Sequence, residues 1–184
     1  MKKITIIFLA MAMLLSMTGC RRKKDNDPTV NTTAPAAAAL PGTMEENVNK
    51  LIQANPVEFM GGMMPLDLKD TTEEGLWNLK NKTGLDSAKD ITDAAAYEPM
   101  TGAQAFSLVM VRVADGVNTK ELAQKMKDNI DPRKWVCAMA DQVMVAGYRD
   151  VVMFIMVDTG LGKTAQSYVD AFQNLCGGKL DFTI

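Results

Sequence analysis

The second half of the chain reads β-α-β-β-α-β, and this order behind helical amino-terminal segments predicts an α+β fold with a small, mostly antiparallel sheet. Three observations carry the prediction. Val151–Val157 is seven consecutive apolar residues, the pattern of a strand buried on both faces. Ala105–Val113 is apolar on alternate positions of both faces, with Phe106, Leu108 and Met110 on one and Val109, Val111 and Val113 on the other. Thr164–Cys176 sets Ala165, Tyr168, Val169, Phe172, Leu175 and Cys176 at helical spacing. The order is that of ferredoxin-like folds, which hold the first and third strands in mid-sheet. The most continuously apolar strands, 105–113 and 151–157, are the first and third. Two helices are then expected on one sheet face and the amino-terminal helices on the other.

The first 19 residues read as a signal peptide rather than as part of the fold. Lys2 and Lys3 give a positive start, and Ile4–Leu15 is an uncharged, apolar run of 12 residues, too short for an ordinary membrane span. Ser16-Met17-Thr18-Gly19-Cys20 follows. It resembles the bacterial lipobox, in which small residues precede a cysteine that is diacylated and then exposed by signal peptidase II. Met17 stands where leucine is usual. The resemblance implies lipidation at Cys20, since the lipid is carried on a thioether; an ordinary secretory signal or an uncleaved anchor helix are the other readings. Arg21, Arg22, Lys23 and Lys24 come next, either set against anionic headgroups, at about 1 kcal/mol per charge, or simply solvated. From Asp25 to Thr43 the chain is rich in Pro, Ala, Thr, Asn and Asp and lacks apolar periodicity. Residues 20–43 therefore read as a lipidated cysteine and a disordered tether.

Residues 44–184 form the predicted domain. Thr43 and Glu46 have capping-box spacing ahead of a helix over 44–54, whose face carries Val48, Leu51 and Ile52 and which Pro56 ends. Met60–Pro65 reads as a flexible apolar loop. Thr71-x-x-Glu74 opens a second helix bearing Leu76, Trp77 and Leu79, stopped by Gly84. Residues 86–100 are ambiguous, with a helical turn at Ile91–Ala96 and an extended Tyr97-Glu98-Pro99 as the reading. After the strand 105–113, Asp115-Gly116 is a turn. Asn118-x-x-Glu121 caps a helix with Leu122, Met126 and Ile130 inward, and Pro132 stops it. Val143–Val145 is a strand, Gly147–Asp150 a hairpin connection, and Val151–Val157 the next strand. Gly177 and Gly178 end the helix 164–176, and Leu180, Phe182 and Ile184 alternate as a last strand.

Composition excludes several chemistries. The chain of 184 residues has no histidine, so Ser-His-Asp triads, Cys-His pairs and histidine-ligated metals are out. The whole chain carries a net charge of −2, with no basic footprint for nucleic acid. The domain alone holds 14 basic against 20 acidic residues, a net −6 behind the basic tether. Gly160-Leu-Gly162-Lys163-Thr164 has the tail of a phosphate-binding loop between a strand and a helix. However, Val157 stands where that motif needs its first glycine, and a turn capped by Thr164 is the better reading. Met60, Met63 and Met64 pose Cu(I) ligation against irregular core filling, the latter favoured without histidine or Met-x-Met repeats. Glu73, Glu74, Asp90 and Asp93 read as helix-start or solvated charges rather than a calcium or catalytic set. Cys137 and Cys176 are either a disulfide or two thiols, with thiols preferred for their apolar surroundings. No catalytic set, cofactor or metal site is expected.

The lipobox, Tyr97-Glu98-Pro99-Met100, the strand 105–113, Asp115-Gly116 and the stretch from Val143 through Gly147-Tyr148 to Ile155 together resemble one family. It comprises small lipoproteins of clostridia-like Gram-positive bacteria, known only as a domain of unknown function. The resemblance spans roughly 44–176, with Trp135-Val136-Cys137 departing from the expected Pro- and Tyr-containing segment. It implies a surface lipoprotein and contributes no activity. The resulting expectation is a lipid-anchored protein on the outer face of the cytoplasmic membrane whose domain binds an unknown protein or small molecule and no nucleic acid. An accessory subunit of a transporter or surface complex would show an exposed apolar patch at Met60–Leu66. An enzyme using carboxylates or a lysine would need a cleft with buried, paired acidic groups.

Overall fold

The centre of the molecule is the strand pair that the sequence marks most plainly. A computed structural model describes residues 40–184. Cys20, the run Arg21, Arg22, Lys23 and Lys24, and the predicted signal and most of the tether lie outside the described residues. The elements in order are α1 (Met44–Ala54), β1 (Gly61–Pro65), α2 (Glu73–Thr83), β2 (Ile91–Pro99), β3 (Phe106–Val113), α3 (Thr119–Asn129), β4 (Gln142–Tyr148), β5 (Val151–Val157), α4 (Ala165–Leu175) and β6 (Phe182–Thr183). The fold is α+β, with one six-stranded antiparallel sheet in the order β1-β2-β3-β5-β4-β6. β3 and β5 sit in its interior, and every residue of β5 is buried.

The order βαββαβ is present from β3 onward, yet the helices do not share a face. β3 and β4 run parallel with β5 between them, as do β5 and β6 with β4 between them. Both crossovers step in the same direction across the sheet from strands of opposite sense. With right-handed connections, that places their helices on opposite faces. Accordingly Leu122, Ala123 and Met126 of α3 join Leu79 of α2 over Val109, Val111, Val152 and Phe154. Tyr168, Val169 and Phe172 of α4 join Met44, Val48 and Leu51 of α1 over Phe106, Leu108, Met153 and Ile155. A ferredoxin-like sheet would return its last strand to the free edge of the first. Here β2 occupies that edge of β3, so β6 pairs with β4.

Helix ends follow the predicted chemistry. The Thr43 hydroxyl accepts from Glu46 N–H while the Glu46 carboxylate accepts from Thr43 N–H. α2 begins one residue later than the Thr71 reading, with Thr72 capping Gly75 N–H, and ends at Gly84 with φ 73°. Asn118 and Thr164 cap α3 and α4.

Three expectations are overturned. Met60–Pro65 is not a loop: Gly61–Pro65 pairs with β2. Its glycines admit neighbours, since a Cβ on Gly61 would lie 2.3 Å from the Tyr97 ring. The helical turn at Ile91–Ala96 is instead most of β2. Alanine prefers helix, but pairing on both sides and close approach of α1 to this strand outweigh that weak preference. Trp77 does not face the core: α2 turns Leu79, Lys82 and Thr83 inward and leaves Trp77 65% exposed. Contacts with the core also start before residue 44. Leu40 is buried, and the Arg112 guanidinium donates to the carbonyls of Leu40 and Gly42 and pairs with Asp150 at 2.6 Å.

Candidate functional site

One buried ionic cluster stands out on the α2/α3 face. Glu98 of β2 lies between two lysines: its Oε2 accepts from Lys82 Nζ at 2.7 Å and its Oε1 from Lys134 Nζ at 2.6 Å. Oε1 also accepts from the Ser107 hydroxyl at 2.7 Å. Lys134 Nζ lies 3.0 Å from the Asn81 carbonyl and 3.4 Å from Ser107 Oγ. The side chains of both lysines and of Glu98 are nearly all out of solvent, and Ser107 is fully buried. Burial by itself would raise the Glu98 carboxyl; Lys134 and Lys82 outweigh it and hold the group below its ordinary range. Burial pulls the Lys134 ammonium down, partly offset by Glu98.

A serine beside a lysine and a carboxylate invites a hydrolytic reading, and the geometry argues against it. The Ser107 proton is committed to Glu98, no surface leads to its oxygen, and the cluster holds one acid and two bases rather than paired acids. What the cluster does is join α2, β2, β3 and the loop that follows α3. A pocket of about 180 Å³ bordered by Trp77, Asn81, Ile130 and Lys134 opens above it. Sequence reading missed all four residues. The signal was there as polar positions inside apolar stretches, Ser107 within 105–113 and Glu98 two places beyond Ala96, but Glu98 and Lys82 meet only once β2 and α2 are in place.

The other predicted sites separate. In the Gly160–Thr164 loop the backbone donors are taken. Gly160 N–H goes to the Asp158 carboxylate, Leu161 and Gly162 to the carbonyls of Asp158 and Thr159, and Thr159 to Asp141. Lys163 reaches Asn55, and Thr164 caps α4, so the segment is a strand–helix turn with no open cradle for phosphate. Met63 and Met64 are successive strand residues and point to opposite faces, so they do not converge with Met60 on one ion. Among the described residues no group of three acidic or cysteine side chains is placed to hold a metal. Glu73 and Glu74 lie in the first turn of α2, and Asp93 accepts from Met44 N–H at the start of α1. Cys137 is an exposed thiol; Cys176 is half-buried on the α1/α4 face, where burial pushes it up to about 12. Both are unpaired. Trp135 and Ala138, flanking Cys137, pack on the other face.

Exposed apolar side chains gather at one end of the sheet. Val136 is 92% exposed, Met60 81%, and Trp77, Met100 and Met139 about half or more. Met60 and Met100 are joined by a backbone hydrogen bond beside the β1–β2 terminus, and Val136 packs by Gly102. Val136 and Met139 belong to the loop that Lys134 anchors, and Trp77 faces that loop across the small pocket. Of the patch expected at Met60–Leu66, Met60 is exposed whereas Leu66 is buried. Between α1 and α4 lies an open groove of about 400 Å³ with Lys50, Asn55, Ser167 and Asp170 on its walls. Asn55 and Ser167 are hydrogen-bonded to each other. No family model matches this chain, and no curated protein and no solved structure is significantly similar to it. No helix among the described residues is long and apolar enough to cross a membrane.

Proposed function

We propose that this chain is an extracytoplasmic lipoprotein whose α+β domain is an interaction module, not an enzyme, belonging with the small clostridia-type lipoproteins that its motifs resemble. In this reading lipid on Cys20 holds it at the outer face of the cytoplasmic membrane, and Arg21, Arg22, Lys23 and Lys24 lie toward the headgroups. The supporting observation is an opposition of ends. Arg112 fixes Leu40 and Gly42, where the tether joins, at the end of the sheet where β3 finishes. The exposed apolar residues lie at the end where β3 starts. The 20 steps from Cys20 to Leu40 span at most ~70 Å, so the apolar end can be held away from the bilayer and toward a partner in the envelope. A transporter or surface complex fits this geometry; a carboxylate or lysine enzyme is disfavoured because the ionic cluster is closed.

The test places a photo-crosslinker at Val136 in cells. A single envelope protein captured there, and lost with Met139→Asp, supports the reading, and Cys20→Ala must release the chain from membranes. Turnover of an envelope substrate that Lys134→Met abolishes would overturn it.

A further inference from the structure

The sheet has two edges, and among the described residues only one is guarded. β6 is two residues long and is preceded by Asp181, whose carboxylate takes Arg149 N–H. Short strands and charges are the usual protection against edge pairing. β1 has five residues, none charged. Leu66 N–H bonds Ala94 and Met60 C=O accepts from Met100, so even-numbered residues turn their backbone toward β2. By alternation Gly61 and Met63 direct N–H and C=O away from the sheet, and Pro65 directs only a carbonyl.

We propose that β1 pairs antiparallel with β1 of a second copy of this chain, around a two-fold axis at Gly62. The position of the one outward group without an N–H, Pro65, selects this register. Gly61 opposite Met63 of the second copy makes four hydrogen bonds and uses every outward donor of both strands. Centring on Met63 would also make four, but it sets Gly61 opposite Pro65, which has no N–H, and so leaves the Gly61 carbonyl without a donor inside the ladder, whereas centring on Gly62 leaves only the Pro65 carbonyl at the strand end. In the selected register Gly62 faces Gly62 where the two backbones approach most closely. Met60, 81% exposed in one copy, falls opposite Met64 of the other. Charge favours a second copy at this edge over any other: the domain is net −6 and repels itself elsewhere, while Gly61–Pro65 contributes no charge. The pairing covers Met60 and Met100 and leaves Trp77, Val136 and Met139 for another partner. It does not rest on the lipid anchor.

The decisive experiment uses the full chain with Cys137→Ser as background and Gly62→Cys added. A Cβ there meets only the mobile Met100 sulfur at 3.1 Å, which can move aside. Diamide treatment is expected to give a covalent dimer with Gly62→Cys, several-fold less when Met60→Asp is added, and only background with Thr183→Cys on the opposite edge. Amide exchange on the unmodified chain supplies a second reading: Gly61 and Met63 are expected to slow as protein concentration rises. Cross-linking of Gly62→Cys to other proteins but not to itself, or exchange at both amides independent of concentration, would overturn the proposal.

Discussion

Replacing Glu98 by glutamine keeps the shape of the buried cluster and removes its only negative charge. Lys82 and Lys134 have side chains 8% and 7% exposed, so two ammonium groups would then lie together in the interior with amide and hydroxyl oxygens alone to face. Breaking a buried pair by removing one partner costs about 3–5 kcal/mol. Here a single carboxylate serves two cations, which puts Glu98→Gln at the upper end of that range. A domain of this size is stable by ~5–15 kcal/mol, so the variant should lose a third or more of its stability. The assay is urea unfolding followed by tryptophan fluorescence, Trp135 being packed beside the cluster. The triple replacement Lys82→Met, Glu98→Leu, Lys134→Met should recover most of the loss, because an apolar substitute for a buried ionic set is often neutral or better. Since Glu98 is held below its ordinary range, its contribution is present above the unfolded-state carboxylate pKa, near 4.3, and is lost as pH falls through the folded value. The wild type should therefore show an acid-side stability loss that Glu98→Gln lacks. A cost below about 1 kcal/mol for Glu98→Gln, or identical acid profiles for the two proteins, would refute this account of the cluster.

Gly84→Ala should destabilise by more than ~1 kcal/mol in the same unfolding assay, since the residue sits at φ 73° and a Cβ would lie 2.6 Å from the Met126 carbonyl. Arg112→Met should cost about 1–3 kcal/mol and speed amide exchange at the start of α1, because it frees Leu40 and Gly42 and leaves Asp150 without its cation. In native protein a maleimide should label Cys137 and spare Cys176, whose thiol burial holds near 12; mass spectrometry with and without denaturant reads both.

Legibility in the sequence followed how local the deciding physics was. Thr43 with Glu46 specifies α1 because both halves of the capping box lie within one turn. β5 could be read because seven apolar residues leave no solvent face in either periodicity. β1 was hidden: Gly61 and Gly62 look like a flexible loop until the Tyr97 ring and the Met100 side chain are known to cover them. Ala94–Ala96 was hidden for a related reason, since small residues chosen for close packing carry the helix preference of alanine. The Glu98 cluster brings together residues 16 and 36 positions apart. Its members are individually unremarkable in sequence, and only pairing of β2 with β3 and seating of α2 join them.

The same topology accounts for where the working surfaces lie. Because β2 takes the outer edge of β3, the last strand is driven across the sheet to β4, and α4 to the face opposite α3. Each face then has two helices, one from the βαββαβ half and one from the amino-terminal segment, so neither half buries its sheet unaided. The added β1–β2 pair also moves the edge beyond β3 outward, from a strand that contains Arg112 to one with no charge at all. Four connections lie at the Phe106 end, 55–60, 100–105, 130–141 and 158–164, and some of their side chains, Ala105, Ile130 and Ala140 among them, pack in the core. Three of these four, 55–60 with Met60, 100–105 with Met100 and 130–141 with Val136 and Met139, also present exposed apolar residues, while 158–164 ties up its polar groups internally. Large apolar side chains kept in water cost solubility, and the recognition of another molecule proposed above would offset that cost.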